Sequence, residues 1–347
     1  MAGPPDLIRT PNHLGDLIMA LPALQAAPSA DLVVTRWLTP LIALVQRAGD
    51  VIPLDRGRAG FIAAVRTLRR RHHESGVLLP PSFSSALLFR AAGVRRVRGA
   101  ATDGRRLLLS EAIPREQLRD RHRTALYREL VLGTEAADEG VGAAPVLPVP
   151  AEERERWREQ RARLRTTLSR GAAAGAGGPR VGIFPGSNAP SRRWDAERFA
   201  AVARGLAAAG VQVEVYGAPA ERRITGHVAG DVALDAGGAT DLPMLAAALS
   251  ECDILVTNDS GPMHLAAAVG TRTLVVSGPA DTRETAPGGS GHVYLQRLDL
   301  PCVPCVKNEC PRSGAGFILP EAERECLRLI EVPEVLTAAR QMLGMGM

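Results

Sequence analysis

The chain has 347 residues, 46% of them hydrophobic and 23% charged, a balance that excludes a disordered chain and predicts two domains with separate cores. The net charge is +5, and it is unevenly spread: residues 1–150 carry 20 Arg against 14 Asp plus Glu, hence +6, and the remainder 22 basic against 23 acidic, hence −1. An acidic partner is therefore expected on the amino-terminal half, where a phosphorylated glycan or an anionic membrane surface fits as well as nucleic acid does.

A strand at Leu7–Arg9 leads into Thr10-Pro11-Asn12-His13-Leu14-Gly15-Asp16, and a helix is expected from about Leu17, broken or kinked by Pro22 after one turn. Asp16 then stands at a helix start on the crevice side of a sheet. It reads either as a carboxylate serving the helix dipole or as a general base facing the other domain. A strand at Leu32–Thr35, a helix through Leu38–Ala48 and a strand near Val51–Leu54 follow. Phe61–Arg71 is an amphipathic helix with Ile62, Val65 and Leu68 on one face. Val77–Leu79 is a buried strand, Pro80–Ser85 a turn and Ala86–Ala92 a helix. Arg90, Arg95, Arg96, Arg98, Arg105 and Arg106 read mostly as a solvated face, with a subset available to an anionic acceptor. Arg121–Leu132 is a helix, Ala143–Pro150 is extended, Glu152–Ser169 is a charged helix and Gly171–Pro179 a flexible linker.

After the linker, strand Val181–Phe184 runs into Pro185-Gly186-Ser187, with Arg192-Arg193-Trp194 close behind. Gly186 and Ser187 offer N–H groups and a hydroxyl, and the two arginines offer charge, the makings of an anion site. Helix Ala196–Ala209 repeats Phe199, Val202, Ala203 and Leu206 at core spacing. A strand at Val211–Tyr216, a helix at Ala220–His227, a short strand from Val232 to Leu234 and a helix at Leu242–Ser250 follow. Strand Ile254–Thr257 then ends in Asn258-Asp259-Ser260-Gly261-Pro262. Ser260 is placed to cap a helix from Gly261 that stops at Gly270, and a strand at Thr273–Ser277 completes a parallel crossover unit. A glycine turn feeding a helix N-terminus is a second anion site, and the pair suits a diphosphate. Trp194 and Cys252 read as core residues, and His264 as structural or phosphate-facing in equal measure.

No G-x4-GK[ST] or G-x-S-x-G motif occurs, and no D-x-D, so phosphate charge falls to protein groups rather than to a bridging metal. Aromatic content of 3% lacks the stacking platforms of a single-strand nucleic-acid binder. Cys302-x2-Cys305-x4-Cys310, with Cys326 further on, allows zinc binding or free thiols about equally. No leader precedes the first strand, so a reducing compartment is expected.

His13-Leu14-Gly15-Asp16 with Ala20-Leu21-Pro22-Ala23-Leu24, Pro185-Gly186-Ser187 with Arg192-Arg193-Trp194, and Asn258-Asp259-Ser260-Gly261 with His264-Leu265-Ala266-Ala267-Ala268 resemble, in that order, the ADP-heptose:lipopolysaccharide heptosyltransferases of glycosyltransferase family 9. Leu79-Pro80, Ser82-Phe83 and Ser85-Ala86-Leu87, followed by Ala92-Gly93-Val94, resemble the heptosyltransferase II branch more than the I branch. The resemblance implies an α/β, GT-B fold: two Rossmann-like domains with parallel sheets facing across a cleft. Residues 1–170 would bind the acceptor, 171–179 would be the linker, and 180–347 would bind the nucleotide sugar. It implies inverting, metal-independent, cofactor-free transfer of heptose from ADP-heptose to the inner core of lipopolysaccharide. Asp16 would be the general base, with His13, Gly15 and Ser82 on the acceptor side. Ser187, Arg193, Asp259, Ser260, Gly261 and His264 would bind the donor. The implied partners are an ADP-sugar, an anionic lipid-linked core oligosaccharide and, from the cytoplasm, the inner membrane surface, but no nucleic acid. A transferase for another surface glycan and a nucleotide-sugar 2-epimerase are the alternatives on this fold.

Overall fold

The computed structural model describes residues 4–118, 120–133, 144–166, 177–312 and 324–346. The chain separates into two compact units, Met1–Pro148 with Arg283–Ala286, and Val149–Thr282 with Pro287–Met347.

Unit 1 runs β1 (Leu7–Arg9), α1 (Leu14–Gln25), β2 (Asp31–Thr35), α2 (Thr39–Ile42), β3 (Val51–Leu54), α3 (Gly57–Arg71), β4 (Ser75–Leu78), α4 (Phe83–Ala91), β5 (Arg96–Ala100), β6 (Glu111–Ile113) and α5 (Arg123–Leu132). Its six strands are parallel in the order β3-β2-β1-β4-β5-β6. Leu7, Val33, Leu78 and Val97 of the sheet pack on Leu68 of α3 and on Leu88 and Phe89 of α4. A Cβ at Gly76 would lie 2.7 Å from the Phe89 ring, so glycine there lets α4 lie close on β4.

Three expectations for this unit are corrected. Helix α1 starts at Leu14 and runs through Pro22 without a break. One missing N–H is tolerated because nine of the helix's 12 residues are buried, and Ala26 resumes the ladder by donating to the Pro22 carbonyl at 3.2 Å. The helix expected over Leu38–Ala48 is only the single turn α2, preceded by a 3₁₀ turn at Arg36–Leu38. The arginine-rich stretch contains strands β5 and β6, and although Arg95, Arg96 and Arg106 are exposed as expected, two of its arginines are buried. Arg98 is buried and pairs at 2.7 Å with Glu111, its register partner on β6, and Arg105 is fully buried.

Unit 2 runs α6 (Ala151–Thr166), β7 (Arg180–Phe184), α7 (Ala196–Ala208), β8 (Gln212–Gly217), α8 (Arg222–Ala229), β9 (Leu234–Gly237), α9 (Leu242–Ser250), β10 (Ile254–Asn258), α10 (Gly261–Ala268), β11 (Arg272–Val276), α11 (Thr282–Thr285, most of which belongs to unit 1), β12 (Val293–Leu295), α12 (Glu325–Arg328) and α13 (Val332–Met342). Its strands are parallel in the order β12-β11-β10-β7-β8-β9. Val181, Val213, Val256 and Leu274 form the core with Phe199 and Leu206 of α7 and Val335 of α13. Trp194 is core, as expected, edge-on to Phe199.

Helix α6, read from sequence as the end of the first domain, packs on unit 2. Trp157 is 0% exposed and stacks on Tyr216 with ring centroids 5.7 Å apart. Arg161 lies over the Trp157 ring and pairs with Glu214 at 3.0 Å and Glu251 at 2.7 Å. Most of the expected linker, residues 171–176, lies outside the described residues. Both strand orders reverse in mid-sheet, between β1 and β4 and between β10 and β7, and ligands of such sheets bind at that crevice, beyond the strands' carboxyl ends.

Candidate active site

In unit 1 the loops leaving β1, β4 and β5 enclose a cavity of about 1260 Å³ at the strand-order reversal. Buried arginines build its rim. Arg9 donates to the carbonyls of Thr10 and Val33 at 2.8 and 3.0 Å and to the Asn12 side chain, whose oxygen also accepts from Thr35 at 2.8 Å. Arg105 donates to the carbonyls of Ala100, Pro80 and Ser82 at 2.8, 2.6 and 3.1 Å, tying two rim loops together. Burial brings both guanidinium groups down to about 10, so they stay charged at neutral pH.

Asp16 occupies the first turn of α1 and lines this cavity with His13 and Ser82. The helix N-terminus favours its negative charge. One carboxylate oxygen, Oδ1, accepts a hydrogen bond from the Tyr127 hydroxyl at 3.0 Å. His13 is the N-cap residue and makes no side-chain cap bond, so its ring is available to the cavity. Ser82 precedes α4 with its Oγ 2.7 Å from that of Ser85. Gly15 stands beside Asp16 in the helix but does not line the cavity. Sequence reasoning missed Tyr127, Arg123 and Glu284, which line it too. Tyr127 reads as an ordinary apolar-face residue of an amphipathic helix, and Glu284 comes from a distant part of the chain.

In unit 2 Asn258 stitches together the turns after β7 and β10. Its Oδ1 accepts from the Trp194 N–H at 2.9 Å and its Nδ2 donates to the Pro185 carbonyl at 2.7 Å. That bond pair ties the turn that carries Ser187 and Arg193 to the turn that carries Asp259, Ser260 and Gly261. Asp259 is 2% exposed, and burial raises its pKa despite Arg192 3.8 Å away. Asp259 Oδ2 and Ser260 Oγ are both buried and unpartnered, the signature of groups waiting for a polar ligand. Ser260 occupies the N-cap of α10 but makes no cap bond, against the sequence reading, so its hydroxyl remains available. Arg193 is exposed and anchored through Nε to the Ser187 carbonyl at 2.6 Å, whereas Arg192 is half-buried and turned to Asp259. A Cβ at Gly186 would overlap the Glu221 carboxylate, a neighbour of this turn that sequence reasoning also missed. Burial raises the pKa of the Tyr294 hydroxyl, and the charge of Asp259 adds to it.

Cys302, Cys305, Cys310 and Cys326 line one void of about 20 Å³. Burial, with the other three cysteines, pushes the Cys326 thiol up to about 11. Among the described residues no group of three or more His, Cys, Asp or Glu is arranged to hold a metal ion. The cysteine-bearing segment braces the arginine turn. Ser191 donates to the carbonyls of Asn308 and Lys307 at 3.1 and 2.6 Å, and Arg324 to that of Arg193 at 3.1 Å.

The pattern of the family described as glycosyltransferase family 9 (heptosyltransferase) matches residues 61–315. Lipopolysaccharide heptosyltransferase 2 of Escherichia coli strain K12 is 27% identical over 308 residues, 81% of this chain and 84% of that protein. Lipooligosaccharide heptosyltransferase 2 of Campylobacter jejuni (serotype O:2) is 28% identical over 171 residues, and that match spans 47% of this chain and 50% of the C. jejuni protein. The solved structure of E. coli ADP-heptose LPS heptosyltransferase II superposes with a TM-score of 0.77 at 23% identity, covering 97% of this chain and 98% of that one. Its GT-B fold is therefore the fold of this chain.

Proposed function

The chain belongs to glycosyltransferase family 9, and from that premise we propose that it transfers heptose from ADP-heptose to the inner core of lipopolysaccharide. The observation that carries this reading is Asp16, a carboxylate at a helix start on a large cavity, with one oxygen held by Tyr127. In this reading unit 1 takes the acceptor and unit 2 the donor. Asp16 removes the proton from an acceptor hydroxyl as that oxygen attacks the anomeric carbon from the face opposite ADP. The bond from that carbon to the diphosphate oxygen breaks, and the configuration inverts. Charge developing on the leaving diphosphate meets the positive dipole end of α10 and the arginines of the turn after β7. Asp259 and Ser260 accept and donate hydrogen bonds to donor hydroxyls. No bridging metal is needed in this scheme, because protein groups supply the positive charge.

The acceptor is an anionic glycolipid, so the enzyme works at the cytoplasmic face of the inner membrane. Ile62 is exposed rather than on the apolar face of α3 expected from sequence, and with Arg58, Arg66 and Arg70 at i, i+4 spacing it forms a ridge that supports a peripheral contact there.

The test is incubation with ADP-heptose with and without a heptose-deficient core acceptor. ADP release that requires the acceptor is expected, with Asp16→Asn lowering turnover about 10²–10⁴-fold at near wild-type donor affinity. A new sugar nucleotide formed without acceptor would mean an epimerase, and an active Asp16→Asn variant would remove Asp16 from the mechanism.

A further inference from the structure

Asp16 is the head of a chain of polar side chains that no motif announces. Helix α5 packs along α1 and carries Tyr127 and Arg123, one turn apart, toward the carboxylate. The phenol is 4% exposed, yet its hydroxyl reaches Asp16 Oδ1 at 3.0 Å. Arg123 lies beside the same hydroxyl and pairs through Nη2 with Glu284 Oε2 at 3.3 Å. All four residues line the cavity.

We propose that Tyr127, braced by the Arg123–Glu284 pair, is a positioning residue for Asp16: it holds Oδ1 so that Oδ2 is the oxygen presented to the acceptor. An ionised carboxylate only accepts hydrogen bonds, so the proton of this bond belongs to the phenol. Burial, and then the charge of Asp16, push the Tyr127 hydroxyl well above its usual range, which keeps it a donor at any working pH. A bond to one oxygen removes the rotation that would otherwise spread the base over many directions, and small misplacements of a reacting group are costly in rate. Glu284 gives Arg123 its own counter-charge. The inference rests on the proposed transfer reaction and names a further residue for it.

Tyr127→Phe removes only the hydroxyl and keeps the ring in its packing. Turnover is expected to fall about 10–100-fold, as for other residues that orient a reacting group, while KM for donor and acceptor stays within about threefold. In an Asp16→Ala background the same change should cost nothing further, because there is no carboxylate left to hold. Glu284→Gln, at the far end of the chain, should lower turnover severalfold at unchanged KM. Wild-type turnover in Tyr127→Phe overturns the proposal. So does an equal loss in the Asp16→Ala background, which would mark the hydroxyl as structural. Melting temperatures of the variants within a few degrees of wild type separate a positioning loss from misfolding, and should Tyr127→Phe not fold, the Glu284→Gln result decides. A wild-type protein that releases no ADP with acceptor present fails the transfer reading itself. An active wild type with an equally active Tyr127→Phe variant fails this inference alone.

Discussion

A carboxylate that is 2% exposed, with one oxygen unpartnered and its cation 3.8 Å from the other, is held at a cost that the fold does not recover by itself. Burial raises the folded-state pKa of Asp259 above its usual value, and Arg192 only partly counters this. A raised folded value means that the native state prefers the protonated form. The stability contributed by this group is therefore complete below the ordinary carboxylate range, near ~3.9, and is lost as pH rises through the folded value. Above the folded value, ionised Asp259 weakens unit 2 until a ligand satisfies it. Asp259→Asn keeps the shape and removes the charge, so its melting temperature at pH 7 should exceed wild type by ~2–4 °C, about 1 kcal/mol. That gain should shrink as pH falls toward 4, and donor affinity should drop at every pH. A variant less stable than wild type at pH 7 would mean that the carboxylate is paired in the native state. Asp16 differs because a helix N-terminus and a phenol already attend it.

At the scale of elements, α6 shows how a helix with few apolar residues is placed by one of them. Trp157 stacks on Tyr216 of β8, and Arg161 satisfies two carboxylates while lying over the indole. Trp157→Ala should cost about 3–5 kcal/mol in the denaturant transition that carries unit 2, with the transition of unit 1 unchanged. A loss under 1 kcal/mol would show that the arginine–carboxylate network holds α6 without the indole. That packing is not legible in sequence, where α6 reads only as a charged helix, because its partners lie 47–93 residues away. What was legible is what is local. Branched apolar runs announced β7, β10 and β11, core spacing announced α7, and glycine residues announced the turns after β7 and β10. Strands β5 and β6 were hidden because Arg98 and Glu111 neutralise each other only once they are in register. Pro22 was misread because burial, not local propensity, decides α1. The motif singles out Asp16 but not the phenol that bonds it, since Asp16 and Tyr127 are 111 residues apart.

At the scale of the whole molecule, the excess positive charge has a direction. Unit 1 presents Arg58, Arg66 and Arg70 along one exposed row of α3, with Ile62 among them. α3 packs on α4, whose Phe83 and Leu87 are exposed, and α4 packs on the turn at Arg106–Leu108, where Leu107 is 95% exposed. A row of cations with an exposed apolar side chain among them is what an anionic bilayer surface would attract, with neighbouring exposed leucine and phenylalanine available to the headgroup boundary. At ~1 kcal/mol for each arginine near the surface, these three are worth roughly two orders of magnitude in partitioning. Purified protein should therefore sediment with vesicles about one-third phosphatidylglycerol and not with zwitterionic ones. Raising salt should release it, since the Debye length shortens from about 8 Å at physiological ionic strength to about 3 Å at 1 M. Replacing the three arginines by glutamate should abolish sedimentation while leaving transfer to a water-soluble, delipidated acceptor unchanged, because none of them lines the cavity around Asp16. Equal sedimentation with both vesicle types would assign the contact to the apolar side chains alone. No sedimentation with either would leave the arginine ridge without a lipid role, and the acceptor would then be met by the cavity without help from the membrane.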